Sequence, residues 1–251
     1  MENRSRLYGD GFFETIRLRD GEWLCLEEHL IRILAGIDAL SFTTTHVIDL
    51  KWLESTLNKA LDSSDQPSES DLVVRLDFFT TGQRGYVVQD HTMHVEGAVS
   101  SIDQAADGVF PNKDEKLDDL LSRVADTDAL KYAEATSVAK VFSPTSHLKS
   151  TSAITYVRAA NECSERSLDD LLILNDKGRA CEFISSNLLV LMNGELFAVP
   201  GTDGPIEGTM IAYLRKFQEV KFRSFRLDQL AMADMIMRCN SVRGIQRMVH
   251  V

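Results

Sequence analysis

Long apolar runs, paired cysteines, basic clusters and structure-breaking residues are all scarce in this chain of 251 residues. No run of consecutive apolar residues exceeds five, Leu188–Met192 being one. A helix needs about 20 to cross a bilayer, so a membrane-spanning helix is not expected. Cysteine occurs four times, at Cys25, Cys163, Cys181 and Cys239, with no CxxC and no paired spacing. That excludes a disulfide scaffold and reads as reduced thiols in a cytoplasmic protein. Five prolines and 14 glycines are too few for collagen-like or low-complexity sequence. Lysine and arginine number 27 against 38 aspartates and glutamates, a formal charge of −11. Nucleic-acid binders concentrate basic residues on one face, and no such cluster is present, so no nucleic-acid partner is expected. The opening Met1-Glu2-Asn3-Arg4-Ser5-Arg6 is charged and unlike a signal peptide.

What is present is apolar periodicity of both kinds. Glu14–Arg19 alternates as a strand, and Asp20-Gly21 supplies a hairpin turn. Leu26–Leu40 and Ile48–Leu61 carry helical spacing, and Asp62–Ser68 is loop chemistry. Leu72–Phe79 and Thr92–Val99 read as strands separated by the turn Gly82-Gln83-Arg84-Gly85. Acidic residues then gather around Pro111, which predicts an interdomain linker over 106–128 with a short helix at Leu117–Val124. Beyond it come a strand around Ala133–Val141, a helix at Thr151–Glu165, a buried strand at Leu171–Leu174 and a turn at Asn175–Gly178. A hairpin of Phe183–Met192 and Glu195–Val199 about Asn193-Gly194, a helix over 208–219 and a last strand segment complete the chain. The sum is an α+β fold in two blocks, a small N-terminal domain over 1–105 and a larger one over 129–251, each with its own sheet.

Several features carry possible chemistry, and each alone has an ordinary reading. Gly201–Met210 is a glycine-bearing loop that enters a helix, where free backbone N–H groups and the helix dipole can cup a phosphate; many plain turns look the same. Lys149 lies at the start of a predicted helix, where most lysines are solvated. Glu182 sits among apolar residues and needs a partner if buried. Arg32 interrupts an apolar helix face, as a snorkelling arginine does. His91, His94 and Glu96 suggest a metal, but strand residues three apart point to opposite faces, so no metal site is expected.

In order, Tyr8-Gly9-Asp10-Gly11-Phe12-Phe13-Glu14-Thr15, His29-Leu30-Ile31-Arg32, Lys149, Glu182 with Ser186-Asn187, and Gly208-Thr209-Met210 resemble the class IV aminotransferases. Glu182 follows Lys149 by 33 residues, and the resemblance runs from Asn3 to the C-terminus. It implies the two-domain fold type IV architecture of the D-amino-acid and branched-chain aminotransferases, with pyridoxal 5′-phosphate as cofactor. Lys149 would then bond the cofactor and shuttle the proton, and Glu182 would pair with the protonated ring nitrogen. Arg32, Thr209, Met210 and Ser241 after Asn240 would hold the phosphate, and Ile206 would pack on the ring. Tyr8, Phe13 and Arg17 match positions lining the pocket for a small-molecule amino substrate. The family also implies a homodimer.

Two departures stand out. Ile211 replaces the arginine usual after the phosphate cup, and the family's opening strands are missing before Asn3, which implies a trimmed small domain or an upstream start. Within the family, Arg75–Tyr86 resembles the strand and turn of 4-amino-4-deoxychorismate lyases, Cys239-Asn240-Ser241 their terminal motif, and Ile154 stands where branched-chain aminotransferases have tyrosine. The expected activity is release of 4-aminobenzoate and pyruvate, with Arg84 or Arg17 on a substrate carboxylate. The alternatives are a branched-chain or D-amino-acid aminotransferase and a non-catalytic cofactor-binding protein.

Overall fold

The computed structural model describes residues 2–66 and 71–251. Two compact units make up the chain, one from residues up to Gln104 with Leu148–Ala153, the other from Ala105–His147 with Ile154–Val251. Among the described residues, no helix is long and apolar enough to cross a membrane.

In the first unit, β1 (Glu2–Asn3) and α1 (Ser5–Tyr8) precede β2 (Phe12–Arg19), which turns at Asp20-Gly21 into β3 (Glu22–Trp23). Then come α2 (Leu26–Ala39), α3 (Leu50–Asp62), β4 (Leu72–Phe79), β5 (Thr81–Gly82) and β6 (His94–Ser101). The main sheet is antiparallel in the order β3-β2-β4-β6. Alternation along β2 and β4 sends Phe12, Ile16, Val74, Leu76 and Phe78 to one face, where they pack with Ile33, Leu53 and Leu57 of the helices. Asp49 caps α3 by accepting the Trp52 N–H at 2.8 Å. The last strand starts two residues later than its periodicity predicts, because the Thr92 N–H is taken by the Asp90 side chain at 2.9 Å. Of the loop read at Asp62–Ser68, Pro67 and Ser68 lie outside the described residues.

The second unit holds α4 (Leu117–Ala125), β7 (Leu130–Glu134), α5 (Ile154–Glu165), β8 (Asp170–Leu174), β9 (Ala180–Phe183) and β10 (Asn187–Met192). It continues with β11 (Glu195–Ala198), α6 (Thr209–Leu214), β12 (Val220–Phe222), α7 (Leu227–Leu230), β13 (Met235–Asn240) and β14 (Gly244–His250). Its sheet runs β12-β11-β10-β13-β14-β7-β8-β9, and β9 pairs back onto β10 through Glu182 and Asn187. Six strands thereby close into a ring, with Phe183, Leu188, Val190, Leu172 and Tyr132 in its core. At the β10–β11 hairpin, Asn193 and Gly194 both have positive φ, 52° and 73°, the geometry of a type I′ turn.

Five sequence expectations need correction. Residues 106–128 are no free linker: they fold into the second unit, with Val109 bridging Ile245 and α4 burying Leu120 and Val124. Of the acidic residues there, Asp118 and Asp119 lie on the exposed face of the amphipathic α4, while Glu115 pairs with Arg123 and Asp107 with Arg243. The strand expected to Val141 stops at Glu134, because the Thr136 and Ser137 N–H groups turn to the Glu162 carboxylate at 2.8–3.1 Å. The helix expected from Thr151 starts at Ile154, because the Thr151 N–H donates to Gly11 O at 2.9 Å. Phe183–Met192 is two strands, broken where Asp170 captures the Ile184 N–H at 3.1 Å. The helix over 208–219 is only Thr209–Leu214, since the chain then tightens into turns at Lys216 and Phe217.

Glu162 fixes the chain that leaves β7. Burial alone would raise its pKa, but hydrogen bonds from the side chains and backbone of Ser137 and Thr136 outweigh that and lower it to about 2. A carboxylate depressed from 4.5 stabilises the fold above pH 4.5 and loses that contribution as pH falls toward 2. Glu162→Gln should cost about 2 kcal/mol at neutral pH in urea unfolding. It should also flatten the acid limb of stability between about pH 4.5 and 2; an acid limb unchanged in the variant would refute this role.

Candidate active-site residues

In the first unit, β2 sorts its side chains to two faces. Glu14 points to the helix side, fully buried, where a carboxylate must find partners. One turn of α2 supplies both: His29 Nδ1 lies 2.6 Å from Glu14 Oε2, and Arg32 grips both oxygens through Nε at 2.7 Å and Nη2 at 2.6 Å. Burial would raise the Glu14 pKa, but the Arg32 charge, with the hydrogen bonds from Arg32 and His29, wins and holds it well below the usual carboxylate range. Burial, more than any charge, pushes His29 below 6.5, so the ring is neutral and its Nδ1–H donates to Glu14. Arg32, expected on the phosphate, thus has its guanidinium plane set by Glu14.

Phe13 lies on the opposite face of β2. Its N–H donates to Lys149 O at 2.9 Å, so Leu148–Ala153 runs alongside the strand and brings Lys149 Nζ to 5.0 Å from the Phe13 ring centre. Arg75 of β4 stacks on the same ring at 3.6 Å and is held by Asp77 through bonds of 2.7–3.0 Å. The two arginines expected to bind substrate are elsewhere. Arg17 is wholly buried and paired with Asp71, so its charge is matched inside the fold. Arg84 is exposed and pairs with Glu2 at 3.4 Å. Tyr8 accepts the Gly85 N–H at 2.6 Å and packs against Tyr86, while the buried Arg4 donates to the carbonyls of Gln83 and Gly85. Tyr8 and Arg4 therefore tie down the Gly82–Tyr86 turn. Sequence reasoning missed Arg75 and Arg4; an arginine in the middle of the alternating Leu72–Phe79 strand was the available signal for the first.

In the second unit, Glu182 sits where β9 meets β10, only 3% exposed. Its Oε1 accepts from Tyr156 at 2.7 Å and from Lys140, and its Oε2 accepts the Ile206 N–H at 3.0 Å. Burial and the Glu182 charge drive the Tyr156 hydroxyl far above its ordinary pKa, so it stays a donor. Asn187 donates to Ile206 O at 2.8 Å and fixes the loop from the other side. A side chain at Gly208 would put its Cβ 1.8 Å from Asn187 Oδ1, so it would have to displace the amide that holds Ile206 O. Thr209, Met210 and Ser241 follow as buried residues, and Ile211 fills its place as an apolar core residue of α6. Asn240 is tied to the protein through its side chain. Its amide donates to Ser185 O and Ser186 Oγ and its oxygen accepts from the Val242 and Arg243 N–H groups. All four side-chain hydrogen-bonding positions are filled by protein, so the Asn240 amide shapes the turn that carries Ser241.

These residues suit pyridoxal phosphate. Glu182 has one acceptor position beyond its three donors for a protonated ring nitrogen, and the Gly208 backbone approach with Thr209 and Ser241 offers amide and hydroxyl donors of the kind a phosphate takes.

The His29 pair gives a pH signature. A base depressed on folding binds its proton in the unfolded chain first, so stability falls as pH drops below 6.5. His29→Gln should remove the loss that sets in below pH 6.5; an identical slope in both proteins would show that His29 is not depressed in the fold.

The chain matches the amino-transferase class IV family over residues 11–251. A comparison with curated proteins finds no match. Among solved structures, it is similar to a 4-amino-4-deoxychorismate lyase from Pseudomonas aeruginosa, with 24% identity and TM-score 0.74 over 99% of this chain and 85% of that one. It is also similar to a branched-chain aminotransferase from Thermoproteus uzoniensis, at 20% identity and TM-score 0.76 over 99% and 80% of the two chains. A third similar structure is a putative amino-acid aminotransferase from Mesorhizobium loti, at 18% identity and TM-score 0.71 over 96% and 99%. The likeness to these structures is one of fold, and the chain belongs to the class IV aminotransferase family of pyridoxal-phosphate-dependent enzymes.

Proposed function

We propose that the chain is a cytoplasmic 4-amino-4-deoxychorismate lyase, acting as a homodimer and forming 4-aminobenzoate, a folate precursor, and pyruvate. The observation that carries this reading is the cluster on one face of β2 and β4. There a single aromatic ring, Phe13, has an amine, Lys149, and a guanidinium, Arg75, packed on it. The ring suits a planar cyclic substrate. Asp77 occupies Nε and Nη2 of Arg75 and leaves Nη1 for a substrate carboxylate. Arg75 takes the part that Arg17 and Arg84 were expected to play.

Bound pyridoxal phosphate supplies an electron sink to the carbon that carries the substrate's amino group. Lys149 takes the proton from that carbon, and the bond from the neighbouring ring carbon to the enolpyruvyl oxygen breaks. The leaving group gains a proton and becomes pyruvate while the ring becomes aromatic, so no co-reactant is needed. Glu182 would hold the ring nitrogen, Ile206 would pack on the ring, and Arg32, Thr209, Met210 and Ser241 would hold the phosphate. Asn240 supports Ser241 from behind, and Tyr8 fixes the turn beside the substrate.

Purified protein should take up pyridoxal phosphate with a visible absorption band that Lys149→Ala abolishes. Incubated with 4-amino-4-deoxychorismate and no keto acid, it should release pyruvate and 4-aminobenzoate in equal amounts. Arg75→Ala should lower kcat/KM about 10- to 100-fold, as loss of one charge-assisted hydrogen bond to a carboxylate does. Amino-group exchange between an amino acid and a keto acid, with no pyruvate from the chorismate derivative, would establish an aminotransferase instead.

A further inference from the structure

We propose that Lys140 is a built-in counter-cation for Glu182 and that it limits how firmly this carboxylate keeps a proton on the ring nitrogen of the bound cofactor. The inference rests on the function proposed above and concerns a residue to which the sequence assigned no role.

Lys140 lies beyond the end of β7, in a stretch that periodicity predicts as strand. Its backbone is fastened on both sides: its N–H donates to Leu174 O at 2.9 Å and its carbonyl accepts from the Asp176 N–H at 3.1 Å. Upstream, Glu162 holds the Thr136–Ser137 turn. The side chain is 11% exposed, its Nζ pairs with Glu182 Oε1 and donates to the Tyr156 hydroxyl at 2.6 Å, and Tyr156 donates in turn to the same carboxylate oxygen. Lys140, Tyr156 and Glu182 therefore form a closed triangle, with the ammonium fixed in place by the backbone on both flanks.

A carboxylate has about four acceptor positions. Lys140 and Tyr156 take two on Oε1, and the Ile206 N–H takes one on Oε2. One position on Oε2 remains for a ring N–H, so the cofactor need not displace the lysine. Its bond is then made to a carboxylate whose charge is already matched, and each added donor or nearby cation weakens a carboxylate as proton acceptor. The other ionisable groups close by do not undo this. Cys181 is buried and kept as a thiol, chiefly by burial and then by the Glu182 charge, and Asp203 is paired with Arg179 at 3.2 Å. A less firmly protonated ring is a weaker electron sink. That suits an elimination in which the substrate ring supplies driving force by becoming aromatic.

Two measurements test the pair and its consequence separately. In the cofactor-free protein, Lys140→Met and Glu182→Gln should each lower Tm by several degrees. The double variant should lose clearly less than the sum, and strict additivity would overturn the pairing. In protein loaded with pyridoxal phosphate labelled with nitrogen-15 in the ring, Lys140→Met should move the ring-nitrogen resonance toward its protonated position. Tyr156→Phe should move it the same way by less, and Lys140→Arg should leave it in place. Should Lys140→Met fail to fold, Lys140→Gln serves for the same comparison. Cofactor uptake with the same resonance in wild type and Lys140→Met would overturn this inference and leave the proposed function standing. Failure of the wild type to take up pyridoxal phosphate would overturn both.

Discussion

Water is largely kept from the Glu182 carboxylate, and a charge so placed has to be matched from within the protein. The second unit is arranged to do so. Closure of the six-stranded ring sets Glu182 opposite Asn187, α5 brings Tyr156, the connection after β7 brings Lys140, and the loop before α6 brings the Ile206 N–H. Asn187 then grips the same loop through Ile206 O, and Gly208 passes so close to Asn187 that a side chain there would displace its amide. Sheet closure, loop conformation and the residues ascribed to the cofactor therefore depend on one another. Removing one partner would leave the rest with an unmatched buried charge.

The first unit answers the same constraint with different residues. Glu14 is buried on a strand, and α2 answers it with an arginine and a neutral histidine one turn apart. The result is a rigid Arg32, oriented before any ligand arrives, which lowers the entropy cost of binding an anion. On the far side of the same strand, Phe13 gathers Lys149 and Arg75. In an acidic protein, affinity toward an anionic ligand has to come from placed cations such as these rather than from net charge.

Much of this is legible in the order of residues alone. The helices at Leu26 and Leu50 and the strands at Leu72 and Asp170 follow from apolar periodicity, because each buries one face or both against a core. The hairpin at Asn193-Gly194 follows from backbone chemistry at two residues. Errors fall where a distant group takes over a backbone N–H: Glu162 ends the β7 strand early, Asp170 splits the strand after Phe183, and Gly11 delays α5. No local window contains those partners. The expected linker fails for a related reason, since acidic composition does not distinguish an exposed helical face from an unstructured segment.

Sequence alone determined the family and the order of its motifs, because those depend on residue type and spacing along the chain. Tertiary structure decided which charges are already matched. Arg17 and Arg84 carry the same side chain as Arg75, yet Asp71 buries and pairs the first, solvent surrounds the second, and only the third stacks beside Lys149 on Phe13. Lys140 is likewise one lysine among many until the fold sets it against Glu182. Electrostatic partnership depends on distance and burial, and both are properties of the folded chain rather than of its order of residues.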